Sequence, residues 1–152
     1  MPVRAVLAIL LGAACAAAPF PAAARETIAG PIPARVVRIV DGDTLIVRAR
    51  IWLGQEVETA VRLDGIDAPE LKSSCAAERE MAGRARDVIA GLADGRRVVL
   101  RDVRYGKFAG RVLARIETDA GQDLASALLE RGLGRVYRGG RRAGWCNGAD
   151  GR

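Results

Sequence analysis

Val61-Arg62-Leu63-Asp64-Gly65-Ile66-Asp67-Ala68-Pro69-Glu70 is the stretch on which the reading of this chain turns. Apolar and cationic residues alternate up to Leu63, which is the period of a strand with one face buried. Gly65 breaks that period, and the Ala68-Pro69 step cannot lie inside a helix. Two carboxylates, Asp67 and Glu70, stand at the resulting corner. Oxygen ligands held by rigid backbone at the end of a strand are what a hard cation requires. The rest of the chain is expected to build a barrel around this corner.

Upstream, Val36 to Val40 and Leu45 to Ile51 flank Asp41-Gly42-Asp43-Thr44, and an Asp-Gly pair between β-branched runs predicts a hairpin. Val57 to Leu63 follows a turn near Gly54 and completes a three-stranded meander. Downstream the period changes: Met81, Ala82, Ala85, Val88, Ile89 and Leu92 predict a helix over Ala76 to Ala93, capped by Ser73 or Ser74 and stopped by Asp94-Gly95. Strands are predicted over Arg97 to Val103 and Gly110 to Thr118. A second helix, about Asp123 to Arg131, closes at Gly132, and Leu133 to Tyr137 reads as extended. The order β-β-β-α-β-β-α predicts a mainly β protein with helices, an OB-fold built on a five-stranded Greek-key barrel.

The ends are of different character. Residues 1–24 carry one early cation (Arg4), an apolar run from Ala5 to Ala18 and small residues at Ala22-Ala23-Ala24, the layout of a secretory signal peptide too short to remain as a membrane anchor. Leu11-Gly12-Ala13-Ala14-Cys15 approaches a lipoprotein site, but its Leu lies one position too far upstream, so simple export to the periplasm or medium is the expectation. Residues 25–33 form a Gly/Pro-rich flexible leader, 34–138 the domain, and 139–152 a Gly/Arg-rich tail, irregular apart from its anchor at Cys146. In an oxidising compartment the remaining pair, Cys75 and Cys146, is most simply a disulfide closing a loop of about 70 residues and contributing about 4 kcal/mol; two free thiols are the alternative.

With 24 Lys and Arg against 18 Asp and Glu, the chain carries +6 and is drawn to polyanions, whether nucleic acid, anionic lipid or acidic polysaccharide. It has no His, so acid–base chemistry falls to carboxylates, Lys, Tyr, Cys or metal-bound water. A meander puts the start of its second strand beside the end of its third, so Asp43 and Asp67 converge. With the carbonyl of Ala68 and waters they form an oxygen shell suited to Ca²⁺. Arg62 and Arg111 are the guanidinium forks for a phosphodiester. Glu70 is placed to take a proton from water.

Val40-Asp41-Gly42-Asp43-Thr44, Arg62-Leu63 leading to Ile66-Asp67-Ala68-Pro69-Glu70, Gly110-Arg111-Val112-Leu113-Ala114, and Leu128-Leu129-Glu130-Arg131-Gly132-Leu133-Gly134-Arg135-Val136 together resemble the staphylococcal nuclease (thermonuclease) family over roughly residues 34 to 138. The resemblance implies an OB-fold phosphodiesterase that uses Ca²⁺ to cleave DNA or RNA, single strands preferred, working as a monomer. It implies Asp43, Asp67 and the Ala68 carbonyl as metal ligands, Glu70 as base, and Arg62 and Arg111 as phosphate clamps. Ala68 stands where the family often has Thr. Lys107-Phe108-Ala109 replaces a Tyr-containing segment, and a competing register would put Lys107 at the clamp. Asp64, two residues from Arg62, is expected either to compete with substrate for that guanidinium or to hold it in place. The alternative function is a barrel without turnover that binds a polyanion; a purely structural exported domain is the third reading.

Overall fold

The computed structural model describes residues 26–107 and 110–146. The signal-peptide reading of 1–24 with Cys15, the Phe108-Ala109 pair and the last six residues of the tail lie outside that range. In chain order the elements are β1 (Thr27–Ile28), β2 (Ile32–Asp41), β3 (Thr44–Trp52), β4 (Gln55–Leu63), β5 (Ile66–Asp67), α1 (Ala76–Ala93), β6 (Arg97–Tyr105), β7 (Arg111–Thr118), α2 (Leu124–Glu130) and β8 (Arg135–Val136).

Strands β6, β2, β3, β4 and β7 pair in that order, and β6 also pairs with β7, which closes a five-stranded barrel. All these pairings are antiparallel except β4 with β7, which is parallel. The mixed closure is that of the predicted OB-fold. Period-two alternation fills the interior: Leu45 and Val47 from β3, Val61 and Leu63 from β4, Val98 and Leu100 from β6, Ala114 and Ile116 from β7 are all buried. Helix α1 covers the core with Ala82, Ala85, Ile89 and Ala93, and α2 adds Leu124, Ala127 and Leu128. Closing the sheet on itself leaves no unpaired edge among the five strands.

Two sequence expectations are corrected. The stretch 25–33 is not a free leader: β1 pairs with β6 through Thr27 and Ile28, and β2 already begins at Ile32. The Gly30-Pro31 break splits the segment into pieces too short to show a period, and the pairing partners, Arg104 and Val103, lie more than 70 residues away. Neither Ser73 nor Ser74 caps α1; the N-cap is Cys75, without a side-chain bond, because the Ser73 hydroxyl is turned to Glu78 at 2.6 Å. The stretch after α2 is extended as expected, and β8 pairs with β5 at Ile66↔Val136 and Asp67↔Arg135. The end of α2 is as expected, with the N–H groups of Arg131 and Gly132 returning to Leu128 and Leu129 and Gly132 taking a positive φ.

The tail is tied back by a disulfide between Cys75 and Cys146. Cys146 therefore lies beside the segment that links β5 to α1. No helix among the described residues is long and apolar enough to cross a membrane.

Candidate active site

The register of β3 on β4 sets the first half of the site. Thr44 lies opposite Arg62, and the Leu63 amide donates to the Asp43 carbonyl at 2.8 Å. The Asp41–Thr44 turn is thereby fixed against the end of β4. Gly42 is required in that turn for space: a Cβ there would meet the Ala85 Cβ of α1 at 2.8 Å. Arg62 Nη1 donates to Asp43 Oδ1 at 2.9 Å, its Nη2 contacts Asp43 Oδ2, and the same Nη2 stands 3.8 Å from Asp67 Oδ1. One guanidinium thus faces both carboxylates, and the predicted convergence of Asp43 and Asp67 is present.

Both carboxylates are buried. Burial pushes the Asp43 pKa up, with Arg62 and the Thr44 hydroxyl, at 2.8 Å, acting in the other direction. Asp41 is also raised, first by burial and further by the charge of Glu70, against a hydrogen bond from the Gly42 amide. Asp41 is the third carboxylate of the cluster, and the sequence reading had treated it only as a turn residue.

The second half comes from the tail. Trp145 is buried, and its indole N–H donates to Asp67 Oδ2 at 3.1 Å. The Arg135 guanidinium lies 3.8 Å above the Trp145 ring, and Arg135 also donates to the Gly144 carbonyl. Arg142 Nε lies 3.1 Å from Asp67 Oδ1, and its Nη1 bonds Glu70 Oε1. Burial disfavours the Arg142 charge, but Asp67, Glu70 and Asp43 outweigh it and raise its pKa. Glu78 anchors the corner, accepting from the Glu70 amide and the Ser73 hydroxyl. A cavity of about 200 Å³ lies here, lined by Asp67, Ala68, Glu70, Glu78, Arg142 and Trp145 among others. A larger one, about 550 Å³, is lined by Arg35, Arg96, Arg97 and Asp119 and contains none of the acids of the site.

Asp64 does neither of the things expected of it. Strand β4 ends at Leu63, so the alternation that would put residues 62 and 64 on one face stops first; Asp64 pairs instead with Arg104 at 2.7 Å. Arg111 opens β7 opposite Ala60, two residues before the Leu113 that faces Arg62. Lys107 lies outside both strands, between β6 and β7. Arg142 and Trp145 were missed because the tail has no period to read. Their signal was the cysteine pair, since Cys75 follows Asp67 by only eight residues and a bridge to Cys146 must bring the tail there.

A divalent cation suits what these residues offer. Asp67 Oδ1 is buried and takes no hydrogen bond; its neighbours are the guanidinium groups of Arg142 and Arg62, at 3.1 and 3.8 Å, so the oxygen stands where positive charge is favoured. No group of three or more His, Cys, Asp or Glu side chains with the arrangement of a metal site occurs among the described residues. A cation there would have the carboxylates of Asp43 and Asp67 on hand and would need its remaining oxygens from carbonyls and water.

The family model described as staphylococcal nuclease homologue matches residues 60–145. The match runs from β4 through the strap that carries Arg142 and Trp145. No curated protein matches the chain.

Proposed function

The chain belongs to the staphylococcal nuclease homologue family, and on that premise we propose that it hydrolyses phosphodiester bonds of DNA or RNA with Ca²⁺. The observation that carries this reading is the pair of buried carboxylates, Asp43 and Asp67, facing a single guanidinium with one oxygen of Asp67 left without a hydrogen bond.

Asp43, Asp67 and the Ala68 carbonyl would hold the cation. When bound, it neutralises charge that builds on the phosphoryl oxygens. Arg62 and Arg111 take the equatorial oxygens of the phosphate, whose negative charge grows as phosphorus becomes five-coordinate. For this Arg62 trades part of its contact with Asp43 for substrate. Glu70, on the exposed side of the corner, accepts the proton of the attacking water, which contributes roughly 10²–10⁴-fold. The ester oxygen leaves as the opposite bond breaks. The net charge of +6 favours a polyanionic substrate, and the Cys75–Cys146 disulfide supports a working place outside the reducing cytosol.

Cleavage of single-stranded DNA in Ca²⁺, and again with excess chelator, tests the reading. Cleavage that needs Ca²⁺ and falls at least a hundredfold in Glu70→Gln is expected. Equal, chelator-insensitive cleavage by both proteins would overturn it, and salt-sensitive binding without cleavage would favour a polyanion-binding barrel.

A further inference from the structure

The strap that follows β8 brings a cation of its own to the acids. Gly139 to Cys146 has no strand or helix, yet it is held at both ends: the Tyr137 amide donates to the Gly65 carbonyl at 2.8 Å, and Cys146 is bonded to Cys75. Between these anchors Trp145 grips Asp67 through Oδ2, which turns Oδ1 of the same carboxylate toward Arg62 and Arg142. Arg142 then spans Asp67 and Glu70 with two of its nitrogens.

We propose that Arg142 is a tethered counter-cation that competes with the divalent cation for Asp67, so that the disulfide-held strap sets the cation affinity of the site. This rests on the reading of Asp43 and Asp67 as metal ligands. Four carboxylates, Asp41, Asp43, Asp67 and Glu70, gather here around two guanidinium groups, Arg62 and Arg142. The backbone of Arg62 is fixed by strand register and its side chain is only 12% exposed, so its guanidinium can turn in place toward a substrate but cannot leave the cluster. Arg142 is 38% exposed, sits on a segment without sheet hydrogen bonds, and contacts the oxygen of Asp67 that no hydrogen bond satisfies. It is the guanidinium that can leave. A cation bound to Oδ1 and a guanidinium nitrogen 3.1 Å from the same atom repel each other, so the two occupy Asp67 in turn. Leaving Asp67 also takes Arg142 off Glu70, so that cation binding frees the carboxylate proposed as the base.

If Arg142 is engaged about nine-tenths of the time, it weakens the apparent affinity about tenfold, by the competent fraction. Calorimetric titration of the purified, oxidised protein with Ca²⁺ measures this without any activity. Arg142→Gln should bind Ca²⁺ about tenfold more tightly than wild type, and Arg142→Lys, which keeps a charge on the tether, should lie between them. Thermal denaturation of each protein in chelator checks that the variants are folded. Detectable binding by Arg142→Gln alone also supports the proposal. Equal or weaker binding by Arg142→Gln overturns it while leaving the metal reading intact. If no protein of the set binds Ca²⁺, the metal reading itself fails and the competition falls with it.

Discussion

Two arginines meet the same acids from two regions built on different principles. Arg62 stands on β4, where the pairing Thr44↔Arg62 and the Leu63–Asp43 backbone bond determine its place. Arg142 stands on a strap with no regular structure, positioned by a disulfide at Cys146 and a stacked tryptophan. The first is held by a ladder of many weak bonds, each supporting the next. The second depends on a few anchors. The difference teaches that one acidic cluster can join a rigid wall, which keeps its ligands in register, to an adjustable one that can yield to an incoming cation.

Unequal responses to matched substitutions would sharpen this contrast. The largest effect is expected for Arg62→Ala, which strands the buried Asp43 carboxylate and should cost about 3–5 kcal/mol in urea unfolding with chelator present. Arg142→Ala removes a partly exposed guanidinium and leaves Asp67 its hydrogen bond from Trp145 and the nearby Arg62, so it should cost less, about 1–2 kcal/mol, in the same measurement. Equal losses would break the comparison. Next in size, the double variant Cys75→Ser/Cys146→Ser should lose about 2–4 kcal/mol yet keep the far-ultraviolet dichroism of the barrel. Hydrogen exchange should quicken at residues 135–146 and not in β3 or β4. A global loss of strand signal would show that the strap is part of the fold's foundation.

A smaller cost, about 1–3 kcal/mol, is expected for Gly42→Ala, because the new methyl group meets the Ala85 methyl at 2.8 Å and one of two backbone-fixed groups must move. Unchanged thermal stability would show that the turn and α1 are looser than the rigid wall requires. The smallest effect is a pH dependence. Burial raises the Asp41 pKa, so the folded protein holds this proton more tightly than the unfolded chain. The stabilisation it brings is present in acid and fades as pH rises through the raised value. In chelator, the melting temperature of Asp41→Asn relative to wild type should therefore increase as pH rises above the ordinary carboxylate range, about pH 4. A flat or falling difference would contradict the shift.

How much was legible from sequence follows the same division. The barrel strands, both helices and the turn acids were readable because each rests on local pattern: period two in Leu45 to Ile51, helical period from Met81 to Leu92, an Asp-Gly between β-branched runs. The convergence of Asp43 with Asp67 was also readable, since a meander fixes which strand ends are neighbours. The fate of Asp64 was not. It depended on the strand face not continuing past Leu63 and on Arg104, 40 positions away, reaching back to it.

By itself the sequence determined the order of the five barrel strands and two helices, the barrel class and the acids and the arginine carried on β4 and its flanking turns, because hydrophobic period and turn chemistry act over a few residues. Tertiary structure alone decided what those groups touch. The pairing of Thr27 with Arg104, the β5–β8 contact, and the delivery of Trp145 and Arg142 onto Asp67 all join residues far apart in the chain. Only closure of the barrel and of the Cys75–Cys146 bridge brings them together, and no local pattern records a contact made that way.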